Sequence, residues 1–276
     1  MAYLLSKENF AKMSEFIYRK CGIYLEEDKH YEKLAKFVDK RSADLGFDNF
    51  RKYFFKLRFD DKNGSEFQEL MNAITVNETY FFREKDQFEV LVNSILPELH
   101  KRMPSNKPLR ILSSPCSTGE EPYSMILHIV EENIIVNERD IEVIGIDIDS
   151  KVIEKAKLAK YTERSVHAIP KNILNKWFKK KALGYDLGED LHGSVDFQVM
   201  NIFDKAAMRK LGKFDVIFSR NMLIYFDDAS RKEVAMTFYD MLNPGGYVLL
   251  GHAEYMSRIV SVFNAKKIDN TLIYQK

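Results

Sequence analysis

The sequence predicts an all-helical N-terminal domain followed by an α/β domain built on a parallel sheet. Residues 1 to about 70 place apolar side chains at helical spacing and show no strand-like alternation. From Leu109 onwards, apolar strand segments alternate with helical segments, as in a parallel sheet with crossover helices. Pro104 and Pro108 interrupt the helical pattern between these two regions.

The composition is that of a globular protein. The chain has 276 residues, enough for two domains with cores, and its 45% hydrophobic and 30% charged content excludes a disordered chain. The 42 basic and 41 acidic residues favour neither nucleic acid nor a membrane surface as a partner. Two cysteines, and six histidines without ligand spacing, predict neither a disulfide framework nor a metal site. Early charges argue against a signal peptide, and no apolar run reaches the ~20 residues of a membrane span, so we expect a cytoplasmic protein.

Four helices are predicted in the N-terminal domain. The first begins after a plausible N-cap at Ser6 and ends at Gly22. The second runs from about Glu26 to Leu45, the third from Asp48 to about Phe59, and the fourth from Glu66 to Thr75. A further helix from about Lys85 to Met103 leads to the prolines. We therefore expect a helical domain over 1–85, a connecting helix and linker over 86–108, and the α/β domain over 109–276.

One face of the second helix is basic. Lys33, Lys36 and Lys40 follow one another at i, i+3 and i, i+4 spacing, and Arg41 lies beside them. Two interpretations are open at this point. The face is either ordinary solvated surface or a docking surface for an acidic partner.

The α/β domain contains five clear strand segments and one interrupted region. The first strand opens at Leu109 and gives way to a polar loop at Ser113. The others are expected at 141–149, 214–221, 247–251 and 270–274, with helices at 120–127, 151–161 and 228–242. Between about 170 and 200, alternating apolar residues are separated by glycines. This pattern predicts a small β insertion.

The stretch from Leu109 to Leu127 is the candidate ligand site, because it reads as strand, small polar loop and helix start. A helix N-terminus at the carboxyl edge of a sheet commonly binds a nucleotide-like ligand. The loop has a single glycine, Gly119, where a dinucleotide loop has three, which argues against NAD or FAD but suits an adenosine ligand without phosphates. Asp147 ends the next strand, where an acid hydrogen-bonds ribose hydroxyls, although a surface-loop acid is the alternative. Asp149 is expected to cap the following helix.

Three further features allow more than one interpretation. The segment from Val76 to Glu84 combines aromatic residues with Asn77 and Arg83, and taken alone it reads as an interdomain joint with a surface arginine. Cys116 lies in the loop without an identifiable base, so we expect it to be structural or to line the ligand. Tyr225 follows a strand end and either faces the site or packs as an ordinary aromatic residue.

Four motifs together give a more specific expectation. They are TVNETYFFRE at 75–84, CSTGEEPYS at 116–124, SRNMLIYF at 219–226 and LNPGGYVLLGHAE at 242–254. In content, order and spacing the sequence resembles the chemotaxis receptor methyltransferases, the CheR family. The resemblance spans nearly the whole chain. It implies a class I S-adenosylmethionine (SAM) methyltransferase sheet, Rossmann-like, with a small antiparallel β insertion and an all-α N-terminal domain.

The resemblance also implies an activity and a set of site residues. Members of the family transfer a methyl group from SAM to glutamate side chains of chemoreceptors, leaving S-adenosylhomocysteine. Carried over by position, the cofactor contacts come from both domains and are Asn77, Thr79, Arg83, Glu120, Asp147, Asn201, Ile202, Asn221 and Met222. Tyr225 matches the tyrosine near the methyl group, and we assign it the catalytic role.

Partners follow from the same resemblance. The basic face formed by Lys33, Lys36, Lys40 and Arg41 is expected to dock the cytoplasmic helical region of a receptor. In some members the β insertion holds a tethering peptide at the receptor's C-terminus. Nothing in the sequence demands more than a monomer.

Two competing functions are compatible with the residues. One is a methyltransferase of the same fold that acts on a small molecule or a nucleic acid. The separate helical domain argues against a small-molecule substrate, and the balanced charge argues against a nucleic acid. The other is a SAM-binding module without activity in a signalling complex, against which Tyr225 and the full set of expected contacts argue.

Overall fold

The computed structural model describes residues 3–104, 106–132 and 138–276. It divides into two compact units. The helical unit comprises Met1–Val76 together with Tyr225–Ser230, and the sheet unit comprises Asn77–Ile224 and Arg231–Lys276.

The helical unit contains the four predicted helices. They are α1 Lys7–Cys21, α2 Glu27–Asp44, α3 Phe50–Phe55, which continues as a π-helical turn over Lys56–Asp60, and α4 Ser65–Ile74. The predicted ends of α1 are confirmed: the Ser6 hydroxyl accepts from the Asn9 N–H at 3.2 Å, and Gly22 has a φ of +71°. Met13, Ile17, Leu34, Val38 and Leu70 are among the residues buried in its core.

A short segment that follows the sheet strands in sequence also belongs to the helical unit. The Tyr24 N–H donates to the Tyr225 carbonyl at 3.0 Å, and Ile23 forms an isolated antiparallel bridge with Phe226. The Tyr18 hydroxyl donates to the Asp227 carboxylate at 3.0 Å. These contacts tie the backbone on either side of Tyr225 to the end of α1.

The remaining elements include the predicted mixture of helices and strands. The helices are α5 Lys85–Val90, a π-helical turn Leu91–Ile95, α6 Leu96–Arg102, α7 Glu120–Glu132, α8 Ser150–Leu158, α9 Glu163–Val166, α10 Lys171–Trp177, α11 Lys205–Lys210 and α12 Asp228–Met241. The strands are β1 Leu109–Ser113, β2 Ile141–Asp147, β3 Lys160–Tyr161, β4 Phe178–Lys181, β5 Gly184–Leu187, β6 Val195–Val199, β7 Phe214–Ser219, β8 Leu242–Leu250, β9 Asn264–Ile268 and β10 Thr271–Gln275. Single 3₁₀ turns cover Leu223–Tyr225 and Met256–Arg258.

Within the described residues, seven strands form the main sheet in the order β6-β2-β1-β7-β8-β10-β9. The first five are parallel, and β10 and β9 are antiparallel to their neighbours. The order reverses at β1, which pairs with β2 on one side and β7 on the other. This reversal opens a crevice at the carboxyl ends of the strands, where ligands bind in such folds. The predicted α/β fold with a parallel core is confirmed.

The β insertion differs in detail from the sequence expectation. A three-stranded antiparallel sheet with the order β3-β5-β4 is present, but Val195–Val199, which the sequence assigned to the insertion, pairs in parallel with β2 in the main sheet. As an edge strand, β6 exposes alternate residues, so its pattern resembles that of a small separate sheet. The helix α8 also ends at Leu158, because Ala159 adopts a left-handed conformation and Lys160–Tyr161 pairs with β5.

The central strand β7 is buried along its whole length, as expected for a strand covered on both faces. The described helices include none that joins the length and the apolar composition needed to cross a bilayer.

Candidate active site

Four strand ends supply the candidate cofactor site. The carboxyl ends of β1, β2, β6 and β7 are adjacent in the sheet. They lead into the loop before Glu120, into Asp147, into Asn201–Ile202 and into Asn221–Met222, respectively. The parallel register therefore brings residues that are up to about a hundred positions apart in sequence to one edge of the sheet.

The Asp147 carboxylate holds the loop after β1. Its Oδ2 accepts from the Ser117 N–H at 2.9 Å, and its Oδ1 accepts from the Asp149 N–H at 2.9 Å. The Cys116 N–H donates to the Ile146 carbonyl at 2.8 Å, so the loop is anchored to β2 at two successive residues. Because Asp147 is 5% exposed, the alternative of a surface-loop acid does not hold.

Asp147 retains acceptor capacity for a ligand. Burial raises the pKa of its carboxyl group to about 6, while the backbone N–H groups of Asp149 and Ser117 counteract the rise. A carboxylate offers about four lone-pair sites. The backbone N–H groups of Ser117, Asp149 and Ile148 use up to three of them, which leaves acceptor capacity for a ligand. A pair of hydroxyl donors on a ligand, such as a ribose diol, would stabilise this carboxylate in its ionised form.

Asp149 connects the same edge to the segment that begins the sheet unit. Its Oδ1 accepts from the Lys151 and Val152 N–H groups at 2.8 and 3.3 Å, which confirms the predicted helix cap. Its Oδ2 accepts from the Asn77 side-chain amide at 2.8 Å. The Ser117 hydroxyl lies 3.4 Å from the Asn77 carbonyl. Asn77 is thus held against both the loop and α8.

Two glycines allow the loop to lie close to β2 and β6. Gly119 has a φ of +92°, and a Cβ there would meet the Phe197 ring at 3.0 Å. At Gly145 a Cβ would lie 2.9 Å from the same ring and 3.0 Å from the Cys116 Cβ. Cys116 itself is 1% exposed, and burial raises the pKa of its thiol, which keeps it protonated and argues for a packing role.

The start of α7 carries two acids in different environments. Glu120 is 2% exposed, and burial raises the pKa of its carboxyl group while the Thr118 hydroxyl opposes the rise. The neighbouring Glu121 accepts from the Ser113 hydroxyl at 2.7 Å and pairs with Arg220 at 3.2 Å. Glu120, the predicted contact, is therefore the acid of the two that has no ion pair among the described contacts.

Arg83 lies in a strained turn. Phe82 and Glu84, on either side of it, have φ values of +61° and +53°, a region that non-glycine residues rarely adopt. The Arg83 guanidinium donates to the Glu78 carbonyl at 3.0 Å and lies over the Tyr80 ring. Strained backbone of this kind clusters at functional sites, in agreement with a role beyond that of a linker.

Two buried charged residues near these contacts were missed by the sequence analysis. Arg220 has a side chain that is 2% exposed and pairs with Glu84 and Glu121. Glu254 is 7% exposed and accepts three backbone N–H groups, those of Asn221 and Gly251 at 2.8 and 2.9 Å and that of Leu223 at 2.8 Å. Both lie inside motifs already identified, but all their partners named here except Gly251 are distant in sequence, so no local pattern indicates the role.

The other expected contacts lie on the same unit. Thr79 and Asn201 are half-buried, and the Asn201 side chain accepts from the Phe203 N–H at 3.0 Å. Ile202 and Met222 are buried, and Asn221 has a φ of +59°. All nine expected cofactor contacts thus belong to the sheet unit, and the half-buried Tyr225 belongs to the helical unit.

The basic residues of α2 are not equivalent. Arg41 forms two hydrogen bonds with the Glu66 carboxylate, at 2.9 and 2.6 Å, and Glu66 is 4% exposed. Lys33 donates to the carbonyl of Ile74 at 3.2 Å, and Lys36 pairs with Glu32 at 3.5 Å. Lys33, Lys36 and Lys40 are exposed, whereas Arg41 joins α2 to α4.

Comparison with known proteins agrees with this geometry. Residues 77–272 match the family model of the CheR methyltransferase SAM binding domain, and residues 8–75 match that of the CheR methyltransferase all-alpha domain. The chain is 43% identical to chemotaxis protein methyltransferase 2 of Vibrio cholerae over 99% of its length and 94% of that protein. It is 34% identical to the chemotaxis protein methyltransferase of Borreliella burgdorferi, over 91% of the chain and 89% of that protein. It is also 34% identical to the Campylobacter jejuni chemotaxis protein methyltransferase, over 83% of the chain and 80% of that protein.

The parallel sheet, the acid at the end of β2 and the matched SAM-binding domain define a SAM-dependent methyltransferase. The helical unit, the sheet unit and their order match the two family models. The chain belongs to the CheR family of chemotaxis protein methyltransferases.

The residues of the site fit the cofactor. A buried carboxylate with remaining acceptor capacity suits the ribose, and a loop with one glycine suits a nucleoside without phosphates. The buried acids Glu120 and Asp147 at this edge favour a ligand that carries positive charge, as SAM does on its sulfur and amino group.

Proposed function

We propose that this protein methylates glutamate side chains in the cytoplasmic helical region of chemoreceptors, giving methyl esters that adjust the sensory response. The observation that supports the proposal best is the match to chemotaxis protein methyltransferases over nearly the whole chain, all-α domain included. We further propose that the enzyme acts in the cytoplasm as a monomer.

The proposed chemistry needs little from acid–base groups. SAM supplies a methyl group bound to a positively charged sulfur. A glutamate side chain is already ionised at pH 7, so the protein does not have to remove a proton from it. The tasks left to the protein are to hold the cofactor, to orient the acceptor carboxylate and to keep water away from it.

Cofactor binding is assigned to the nine residues of the sheet unit. Asp147 accepts the ribose hydroxyls, an assignment supported by its burial and its remaining acceptor capacity. Glu120 lies in the first turn of α7, and its buried acid suits a donor group of the ligand. The remaining contacts are Asn77, Thr79, Arg83, Asn201, Ile202, Asn221 and Met222.

The decisive experiment follows the methyl group. Purified protein, methyl-labelled SAM and receptor-containing membranes should transfer label to the receptor, and the label should be released as methanol in mild base because esters hydrolyse. Receptor variants with Gln in place of methylated Glu should lose the label at those positions. Label that survives base, or that enters nucleic acid or small molecules instead, would contradict the proposal.

Tyr225 is proposed to orient the acceptor carboxylate by a hydrogen bond. Its position four residues after Asn221 supports this role, as does the anchoring of the backbone around it by Tyr24 and Tyr18. Tyr225→Phe removes only the hydroxyl group. We expect kcat to fall while S-adenosylhomocysteine affinity stays unchanged. Normal turnover of this variant would remove Tyr225 from the role.

The exposed lysines of α2 are proposed to dock the receptor. Lys33, Lys36 and Lys40 project from one helix, whereas Arg41 serves the face by fixing α2 to α4 through Glu66. Reversal of the three lysines to Glu should raise KM for receptor at low salt and leave S-adenosylhomocysteine binding intact. The matched control reverses the exposed Lys210, Lys266 and Lys267, which changes the net charge equally. If both triple variants changed KM for receptor equally, the three lysines of α2 would be ordinary solvated surface.

The three-stranded sheet is the proposed site for a receptor's C-terminal tethering peptide. In the order β3-β5-β4, β4 is an edge strand, and an extended peptide can add to such an edge by main-chain hydrogen bonds. Its residues Lys179, Lys180 and Lys181 are exposed and would favour an acidic peptide. A receptor that lacks its C-terminal tail should then be methylated more slowly. Equal rates would show that this protein uses no tether.

A further inference from the structure

We propose that Arg220 is a positioning residue for the cofactor site. Its buried guanidinium holds the Arg83 turn, the first turn of α7 and the Asn221 turn in register, and so controls SAM affinity through them. The inference rests on the proposed function, since these segments carry proposed cofactor contacts.

The first connection is to the Arg83 turn. Nη2 of Arg220 donates to the Arg83 carbonyl, and Nη2 and Nε lie 3.1 and 3.3 Å from Oε2 of Glu84. The residues that flank Arg83 have positive φ values, so this backbone is unfavourable by itself and needs contacts from outside the turn. The Phe82 N–H donates to the Ser124 hydroxyl at 3.0 Å. On the C-terminal side of the turn, Arg220 contacts both Arg83 and Glu84, and the Gln87 side-chain amide also donates to Oε2 of Glu84 at 3.0 Å.

The second connection is to the helix start that carries Glu120. Nη1 of Arg220 lies 3.2 Å from Oε2 of Glu121, and Oε1 of Glu121 accepts from the Ser113 hydroxyl at 2.7 Å. The hydrogen bond between Ser113 and Glu121 therefore links the end of β1 to the first turn of α7, and Arg220 links this pair to the Arg83 turn. A shift of the guanidinium would move both segments.

The third connection is covalent. Arg220 directly precedes Asn221, whose φ is +59° and whose N–H is held by Glu254 at 2.8 Å. The guanidinium also lies over the Phe88 ring, with 5.3 Å between its carbon and the ring centroid. With packing on one face and ion pairs at the edge, the side chain is 2% exposed.

Arginine is required by this geometry. A guanidinium presents five donors in a rigid plane, and here Nε, Nη1 and Nη2 are all used toward three different residues. A lysine keeps the charge but concentrates it on one nitrogen. Arg220→Lys therefore separates the geometric role from the charge.

The test compares two buried arginines of the sheet unit. Counted as whole residues, Arg139 and Arg220 are both 5% exposed. Arg139 donates to the carbonyls of Pro104, Lys107 and Met103, none of them a proposed cofactor contact. By calorimetric titration with S-adenosylhomocysteine, we expect Arg220→Lys to lose at least tenfold in affinity and Arg139→Lys less than twofold. Urea unfolding of both variants shows whether they lose similar stability. Equal affinity losses in the two would overturn the proposal, because a general loss of packing would then explain the effect.

A double-mutant cycle tests the route through Arg83. If Arg220 acts by placing Arg83, then Arg220→Lys should weaken binding much less in an Arg83→Ala background than in the wild type. Fully multiplicative losses would overturn the route through Arg83. If Arg83→Ala alone binds S-adenosylhomocysteine with wild-type affinity, the proposed contact at Arg83 and the route through it are overturned. The proposed function is tested separately, because receptor methylation could still proceed in that variant. If Arg220→Lys fails to fold, Glu84→Gln weakens the same connection from its other side, and unchanged affinity in that variant would count against the proposal.

Discussion

Replacing Asp147 with Asn should separate cofactor binding from stability. The change keeps the size of the side chain and removes its charge. In the free protein, burial raises the pKa of this carboxyl group from 3.8 to about 6. The ionised form is therefore disfavoured in the folded state by roughly 3 kcal/mol, at about 1.4 kcal/mol per pKa unit. Asn removes this cost.

The substitution also loses an acceptor. One of the Ser117 and Asp149 N–H groups would face the amide NH₂, which costs about 1–3 kcal/mol for an unsatisfied buried donor. The two effects on stability oppose each other and are similar in size. We expect the free energy of unfolding to change by less than about 2 kcal/mol in either direction.

The free energy of S-adenosylhomocysteine binding has no such compensation. Each ribose hydroxyl would lose a charge-assisted hydrogen bond worth about 1.5–3 kcal/mol, of which a neutral amide oxygen restores part. We expect a net loss of about 2–4 kcal/mol, which is roughly a 30- to 1000-fold rise in Kd for S-adenosylhomocysteine.

Isothermal titration and urea unfolding of the same preparations measure the two quantities. Asp196→Asn, an exposed acid on the neighbouring strand β6, is the matched control and should change neither. A Kd within threefold of wild type in folded Asp147→Asn would refute the assignment of Asp147 to the ribose.

Four further predictions concern the same edge. Because the pKa of free Asp147 is raised to about 6 and binding needs the ionised form, affinity for S-adenosylhomocysteine should be flat above pH 6 and fall about tenfold per unit below it; a flat profile down to pH 5 would contradict this. The same raised pKa has the opposite effect on the stability of the free protein. The contribution of Asp147 to the free energy of unfolding should grow as pH falls from 6 towards 4. Gly145→Ala would place a methyl group 2.9 Å from the Phe197 ring, so urea unfolding should show a loss of about 1–3 kcal/mol, and unchanged stability would mean that the ring moves freely. Glu254→Gln would turn an amide NH₂ towards one of three backbone donors, so we expect a loss of about 1–3 kcal/mol in stability and weaker S-adenosylhomocysteine binding; wild-type values for both would show that Glu254 does not hold the Asn221 turn.

Features that depend on neighbouring residues were readable from the sequence. The caps at Ser6, Gly22 and Asp149 were predicted correctly, because each depends on hydrogen bonds or a backbone angle within four residues. The parallel sheet was also predicted correctly, since buried central strands such as β7 appear as continuous apolar runs.

Long-range pairing was decided only by the tertiary structure. The sequence placed Val195–Val199 in the insertion, because an exposed edge strand alternates in the same way wherever it pairs. Arg220 and Glu254 look like ordinary polar residues of their motifs. Apart from Gly251, which lies three residues before Glu254, the partners described above for these two residues lie 31 to 137 positions away. The free energy of burying a charge depends on which donors or acceptors surround it after folding. Local pattern determined where the chain forms its helices, its strands and its cofactor edge, and the fold determined which buried charges hold that edge in place.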